Sequence, residues 1–418
     1  MTNNEKIIEA LEESNKWWVG KFEIDFKPRE IYEEIKHFLK SGQIIALTGL
    51  RRVGKTTIIL KIAEDYTKII DTRNILYFSF DDFRGARIKD IMNIYARIMN
   101  KDFNKGHYLL LFDEIQKLEN WEEQVKRVYD NFKNIRLIVS GSESLFIRKK
   151  SRESLAGRFF EFKVKPLNFR EYLSFKEIKI EDINLDKQKI LREFNNFLFC
   201  SGFPEIVNED REIIKKYIKE NVIEKIIYRD IPQVFPVKEP SILEELFKII
   251  LLDPGEIISI DNLSKDLNAS RQTISIYLDY LEKSFLIIKL FNFSRNIRKT
   301  QKKLKKYYPT IIAPELVEKA DYSGKCFEMA LVLQLDAEFF WRDTYKNEVD
   351  IIKAADNSIL PIEIKYSKID SKALKLFMKK FKVNRGVIIT YDKSEEIKFD
   401  GKEISIVPFY SYILQKVK

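Results

Sequence analysis

At 418 residues the chain has room for two or three domains of about 150 residues each, and its 45% hydrophobic and 33% charged content allows packed cores and speaks against disorder. Lys and Arg outnumber Asp and Glu by 74 to 64, and the net charge of +10 favours polyanionic partners. Two cysteines (Cys200, Cys326) and two histidines (His37, His107) exclude a disulfide framework, a Cys-rich zinc module and a multi-histidine metal site. No apolar run approaches the roughly 20 residues that span a bilayer, and the polar, acidic N-terminus reads as neither signal nor transit peptide. A cytoplasmic protein without a membrane partner is the expectation.

In chain order, residues 1–40 read as an amphipathic lead-in whose Trp17 and Trp18 pack against the next domain. From 41 to 165, β-rich runs at 44–48, 75–80, 108–112, 136–140 and 159–164 alternate with helical patterns, the mark of a parallel α/β sheet. The first run leads into Gly49-Leu50-Arg51-Arg52-Val53-Gly54-Lys55-Thr56, which fits G-x-x-x-x-G-K-[ST] between a strand and a helix-prone stretch. Glycines let backbone N–H groups turn toward phosphate oxygens, and the following helix N-terminus adds partial positive charge. Residues 49–56 with Thr57 are therefore the expected ATP contacts: Lys55 on the β- and γ-phosphates, the Thr56 hydroxyl on Mg²⁺.

The run 108–112 ends in Asp113 and Glu114. In P-loop enzymes the aspartate at this strand end holds Mg²⁺, and a following glutamate can polarise the attacking water. An acidic helix cap would explain one of these acids but not its place after a P-loop. The run 136–140 ends in Ser140, Gly141 and Ser142, where a hydroxyl is in place to sense a γ-phosphate. Arg152 and Arg158 are candidate arginine fingers, with a surface salt bridge as the alternative for each. Asp81 and Asp82 either cap a helix or approach the metal, and capping is the favoured reading.

These residues, GLRRVGKTT at 49–57, LFDEIQ at 111–116, VSGS at 139–142, LAGR at 155–158 and PLNFREY at 166–172, resemble prokaryotic AAA-type ATPases. The group is abundant in archaea and carries a C-terminal domain of uncharacterised role with a restriction-endonuclease-like motif. The likeness continues through SGFPE at 201–205, YRD at 228–230, EVD at 348–350 and IEIK at 362–365, and so covers nearly the whole chain. It implies ATP binding and suggests association with DNA. One departure is that family members place an aspartate soon after the aromatic strand that here is Tyr307-Tyr308, where this chain has residues 310–314 without an acid.

The fold expected is α/β: a P-loop AAA-type parallel sheet (41–165), a helical lid (166–235), a winged helix with a basic wing (240–308) and a restriction-endonuclease-like α/β domain (309–418). In 240–308, helical stretches at 241–253, 261–267 and 271–285 surround a short strand at 257–260, and Ser270 is placed to cap the third helix. Arg271, Gln272 and Thr273 then stand where a recognition helix reads base edges. Between 295 and 306 lie seven basic residues and no acid: Arg295, Arg298, Lys299, Lys302, Lys303, Lys305 and Lys306. Duplex DNA is the expected partner, with Lys302, Lys303, Lys305 and Lys306 on phosphates. A packing module with a solvated basic hairpin is the alternative.

In the last segment a helix carries Glu328, and strands carry Asp350 and then Glu363 with Lys365. Asp350 and Glu363 are expected to clamp a second Mg²⁺, with Lys365 beside the attacking water and Glu328 completing the shell. A scaffold without cleavage is the alternative. The function expected is that of a Mg-ATP-hydrolysing ATPase acting at DNA, with oligomerisation open. A nucleotide-dependent protein-interaction switch and an ATP-regulated nuclease are the competing readings.

Overall fold

The computed structural model describes residues 3–83, 85–142, 155–296, 300, 304–355 and 358–414. The chain divides into two compact units, Met1–Pro166 with Tyr228–Pro236, and Leu167–Ile227 with Val237–Lys418. Arg152, Arg298, Lys299, Lys302 and Lys303 lie outside the described residues.

The first unit is built on β1 (Ile44–Thr48), β2 (Ile75–Ser79), β3 (Tyr108–Asp113), β4 (Ile135–Gly141) and β5 (Phe159–Lys163), in the order β2-β3-β4-β1-β5. Every neighbouring pair is parallel. β1 and β3 are buried at every residue, as continuous apolar runs in a sheet covered on both faces must be. Parallel pairing puts all five C-terminal ends on one edge. Because β4 lies between β1 and β3, the loop after β1, the acids after β3 and the serine of β4 come out side by side.

The lead-in is part of this unit and closes its exposed side. β2 is an edge strand, and an edge strand carries unpaired backbone groups. Asn15 meets them as a partner strand would: its Nδ2 donates to the Tyr77 carbonyl at 2.9 Å and its Oδ1 accepts from the Tyr77 N–H at 2.7 Å. The Trp17 and Trp18 indoles both donate to the Ile75 carbonyl, at 3.1 and 2.8 Å. The two tryptophans thus pack as the sequence suggests, with a hydrogen-bonding role it did not reveal.

The second unit holds β6 (Glu256–Ile257), β7 (Ile287–Asn292), β8 (Lys305–Pro309), β9 (Phe339–Arg342), β10 (Glu348–Ala355), β11 (Ser358–Lys365), β12 (Arg385–Thr390), β13 (Glu395–Phe399) and β14 (Lys402–Pro408). They form one sheet, β13-β14-β12-β11-β10-β9-β7-β8-β6, mostly antiparallel. This sheet runs through the boundary expected at 308/309. β7 pairs in parallel with β9, and the Asn292 side chain bonds the Arg342 backbone twice, at 2.9 and 3.1 Å. The helices Pro240–Leu252, Ile260–Asp266 and Arg271–Lys283 precede β7, with β6 after the first of them.

Two motifs of the resemblance prove to be structural. Asn168 and Glu171 form a capping box at the start of helix Phe169–Phe175. Ser201 holds both backbone groups of Ile312 through its hydroxyl, each at 3.0 Å. The loop that lacks the family's aspartate is accordingly an apolar, buried connection, with Ile311, Ile312 and Ala313 all nearly inaccessible. Gly202 sits at φ +70°, and a Cβ there would lie 2.5 Å from the Leu167 carbonyl oxygen. Gly202→Ala is therefore expected to destabilise the second unit by about 2–4 kcal/mol, from left-handed backbone strain together with the clash. A thermal or denaturant melt checks this, and an unchanged midpoint would contradict the close approach described.

Candidate functional site

The site of the first unit begins where β1 ends. Gly49 turns the chain at φ +145°, and a Cβ there would overlap the Val164 carbonyl, so only glycine lets the loop pass beneath the end of β5. Lys55 opens helix Lys55–Tyr66 and is 6% exposed. Its ammonium donates to the carbonyls of Gly49 and Leu50, at 3.0 and 2.8 Å. Burial lowers the Lys55 pKa, while Glu114, Asp113 and Asp230 act to raise it.

Asp113, at the end of β3, is 3% exposed. Its Oδ2 accepts from the Thr56 hydroxyl at 2.6 Å and from the Tyr77 hydroxyl at 3.1 Å. Its Oδ1 accepts from the Ser140 hydroxyl and from the Glu114 N–H at 3.0 Å. Thr56, Asp113 and Ser140 thus converge. Glu114 follows in the left-handed region at φ +52°. Burial raises its pKa, with Lys55 opposing and Asp113 adding to the rise. Gln116 Nε2 donates to Glu114 Oε2 at 2.6 Å and lies 3.1 Å from the Ser142 hydroxyl.

Several contacts around the loop escaped the sequence reading. Arg29, in the lead-in, donates to the carbonyls of Val53 at 3.0 Å and Lys165 at 2.7 Å, fixing the loop to the end of β5. Arg51 pairs with Asp230 at 3.2 Å, and Arg229 pairs with Asp81 at 3.4 Å. The YRD motif at 228–230 is therefore tied to the loop 49–56 and to the end of β2. Lys117 also pairs with Asp81. That corrects the favoured reading of Asp81 as a helix cap: helix Ile88–Met99 begins without a side-chain cap, and the Asp81 carboxylate serves two cations.

Arg158 lies elsewhere. Its backbone carbonyl accepts from the Ile44 N–H, at the start of β1, and its guanidinium pairs with Asp130 at 3.1 Å. The length of β1, about 16 Å at 3.3 Å per residue, separates it from the loop. A finger acting within its own chain does not fit this position, and the pair with Asp130 is the salt bridge given as the alternative.

In the second unit, Ser270 caps helix Arg271–Lys283 and accepts from the Thr273 N–H at 3.0 Å. Arg271 and Gln272 are exposed, and Arg271 pairs with Asp261 at 2.7 Å. The described residues of the basic run, Arg295, Lys305 and Lys306, do not share one role. Arg295 donates to the Phe381 carbonyl at 2.7 Å. Lys305 is half-exposed, whereas Lys306 is 5% exposed and pairs with Glu348 and, at 3.7 Å, with Glu328. The expectation that Lys306 meets DNA phosphate is thereby corrected, because strand alternation turns it inward.

Lys306 reaches the residues expected to hold a second Mg²⁺. Asp350 Oδ2 accepts from the Ile364 N–H at 2.7 Å, and Lys365 pairs with Glu363 Oε1 at 2.6 Å. Tyr308 donates to Glu328 Oε1 at 2.6 Å. Burial and the nearby Glu328 push the Asp350 pKa up to about 7, against Lys306 and Lys365. Burial and Asp350 likewise hold Glu363 well above the usual carboxylate range. Among the described residues no group of three or more His, Cys, Asp or Glu side chains is arranged to hold a metal ion. The four predicted residues come together, but not as a ligand shell.

Residues 41–173 match a family described as an AAA domain, and 191–310 and 328–412 match two domains of unknown function. The uncharacterized protein MJ1544 of Methanocaldococcus jannaschii is 30% identical over 94% of this chain and 93% of its own length. A second protein of that organism, the uncharacterized MJ1637, is 27% identical over 94% of this chain and 89% of its own. AMPPCP-bound DnaA from Aquifex aeolicus is 15% identical over 62% of this chain and 89% of that one, with a TM-score of 0.29, too low to carry an argument. In the described residues no helix is long and apolar enough to cross a membrane. With both chains covered almost end to end at 30% identity, this chain belongs to the family of MJ1544, and its first unit carries the AAA domain of a nucleotide-binding ATPase.

Proposed function

We propose that the chain hydrolyses Mg-ATP at the loop 49–56 and acts on duplex DNA through the helices and hairpin of its second unit. The observation that carries the ATPase reading is the bond from Thr56 to Asp113, which brings the hydroxyl of the loop and the carboxylate of β3 to one point beside Lys55. These are the oxygen donors a Mg²⁺ ion favours, and the ion would neutralise charge on the phosphates. Lys55 exchanges its two carbonyl acceptors for phosphate oxygens. Thr57 and the backbone N–H groups of the loop complete the cradle. Glu114, whose pKa burial raises, takes the proton of the attacking water. Ser140 keeps Asp113 oriented.

The DNA reading is supported by the order helix, strand, helix, helix, strand, strand over 240–309, which is that of a winged helix, and by the exposed Arg271 and Gln272 at a capped helix start. The inward Lys306 reduces the basic surface but leaves Lys305 on the hairpin. For the region holding Asp350 and Glu363, a scaffold without cleavage is the reading favoured by the ion pairs that already engage its carboxylates.

The ATPase is tested by nucleotide titration and phosphate release. Lys55→Ala should lose nucleotide affinity, while Glu114→Gln should keep binding and lose turnover by roughly 100-fold or more; full turnover in Glu114→Gln removes it as the base. If Arg158 acts across a subunit interface, Arg158→Ala mixed with Lys55→Ala should recover activity that neither has alone. Wild-type kinetics in Arg158→Ala ends that role. Neutralising Lys302, Lys303 and Lys305 should weaken duplex binding for all sequences and flatten its salt dependence by about one slope unit per lost contact. An unaltered salt slope would contradict the DNA surface.

A further inference from the structure

Four carboxylates of the second unit, Glu328, Glu348, Asp350 and Glu363, share one neighbourhood with three cations, Lys306, Arg342 and Lys365. We propose that Lys306 is the resident cation of this cluster, taking the place a divalent ion would need and keeping the site metal-free while β8 stays in the sheet. The inference does not depend on ATP hydrolysis.

Lys306 and Tyr308 alternate on β8 and so face the same side, and both reach Glu328 Oε1, at 3.7 and 2.6 Å. The Lys306 ammonium also holds Glu348 Oε1, while Arg342 holds Glu348 Oε2 at 3.1 Å. Asp350 Oδ2 is taken by a backbone N–H, and Glu363 Oε1 by Lys365. Among the cluster's carboxylate oxygens, Glu363 Oε2 is buried without a hydrogen-bond partner. Each of the four carboxylates thus already gives at least one oxygen to a cation, a hydroxyl or a backbone N–H, contacts that an ion asking for about six oxygen ligands would have to displace.

Charge gives the same answer. With all groups ionised the cluster carries one net negative charge, and a divalent ion would leave it one positive charge out of balance in a buried place. Without the Lys306 ammonium the deficit is two, which one divalent ion cancels. Isolated buried charge is strongly unfavourable, so the lysine and the metal compete for the same compensation.

The test uses the full chain without nucleotide and follows free Mn²⁺ by electron paramagnetic resonance. The wild type should bind no Mn²⁺ that Asp350→Asn removes. Lys306→Met, similar in length and uncharged, should gain a Mn²⁺ site, with affinity roughly tenfold or more above the weakest the measurement detects, and adding Asp350→Asn should abolish the gain. Lys306→Gln serves as a second variant should Met disturb folding, with a thermal melt to verify both. Wild-type Mn²⁺ binding that Asp350→Asn eliminates overturns the proposal, as does a folded Lys306→Met protein with no gain. Because ATP is absent, neither outcome bears on the hydrolysis reading.

Discussion

Everything in the first unit leads to one carboxylate. Asp113 is buried and accepts four hydrogen bonds, from Thr56 on the loop after β1, Tyr77 on β2, Ser140 on β4 and the N–H of Glu114 beside it. A buried carboxylate left unpaired would be strongly unfavourable, so the strands must register in a way that delivers those donors. The parallel order β2-β3-β4-β1-β5 does so by setting β3 between β2 and β4 and ending the strands on one edge. Sheet topology and nucleotide chemistry are here the same constraint.

Much of this was legible in the sequence because it rests on local pattern. A continuous apolar run with polar residues at its end announces both a strand and what that strand presents, and all five runs of the first unit appear as strands within a residue or two of their expected limits. What was not legible depends on partners distant in sequence. Nothing near Asn15 says that it faces Tyr77, and nothing near Asp230 says that it meets Arg51. Arg29 stands in a charged stretch like many others, and only the folded chain shows it bonded to Val53 and Lys165.

The basic run shows a different limit. Counting charge from 295 to 306 treats seven side chains alike, but at its end the run enters β8, and a strand sends neighbours to opposite faces. Lys305 and Lys306 are adjacent in sequence and differ in solvent access and in electrostatic role. The alternation was available to the sequence reading, and the inward direction of Lys306 was not, because it depends on carboxylates on β10 and on helix Ser323–Gln334. Likewise, the segment 240–308 reads as a separate module until β7 is seen to pair with β9.

Arg29 has a consequence for how this protein is divided. The matched AAA domain begins at residue 41, twelve positions after the arginine that ties Val53 of the phosphate loop to the end of β5. The lead-in also supplies Asn15, Trp17 and Trp18 to the open flank of β2. A chain begun at residue 41 would keep every motif residue of the ATPase, yet bare a sheet edge to self-association and release its phosphate loop from its tether. The functional module of this chain is larger than its recognisable one.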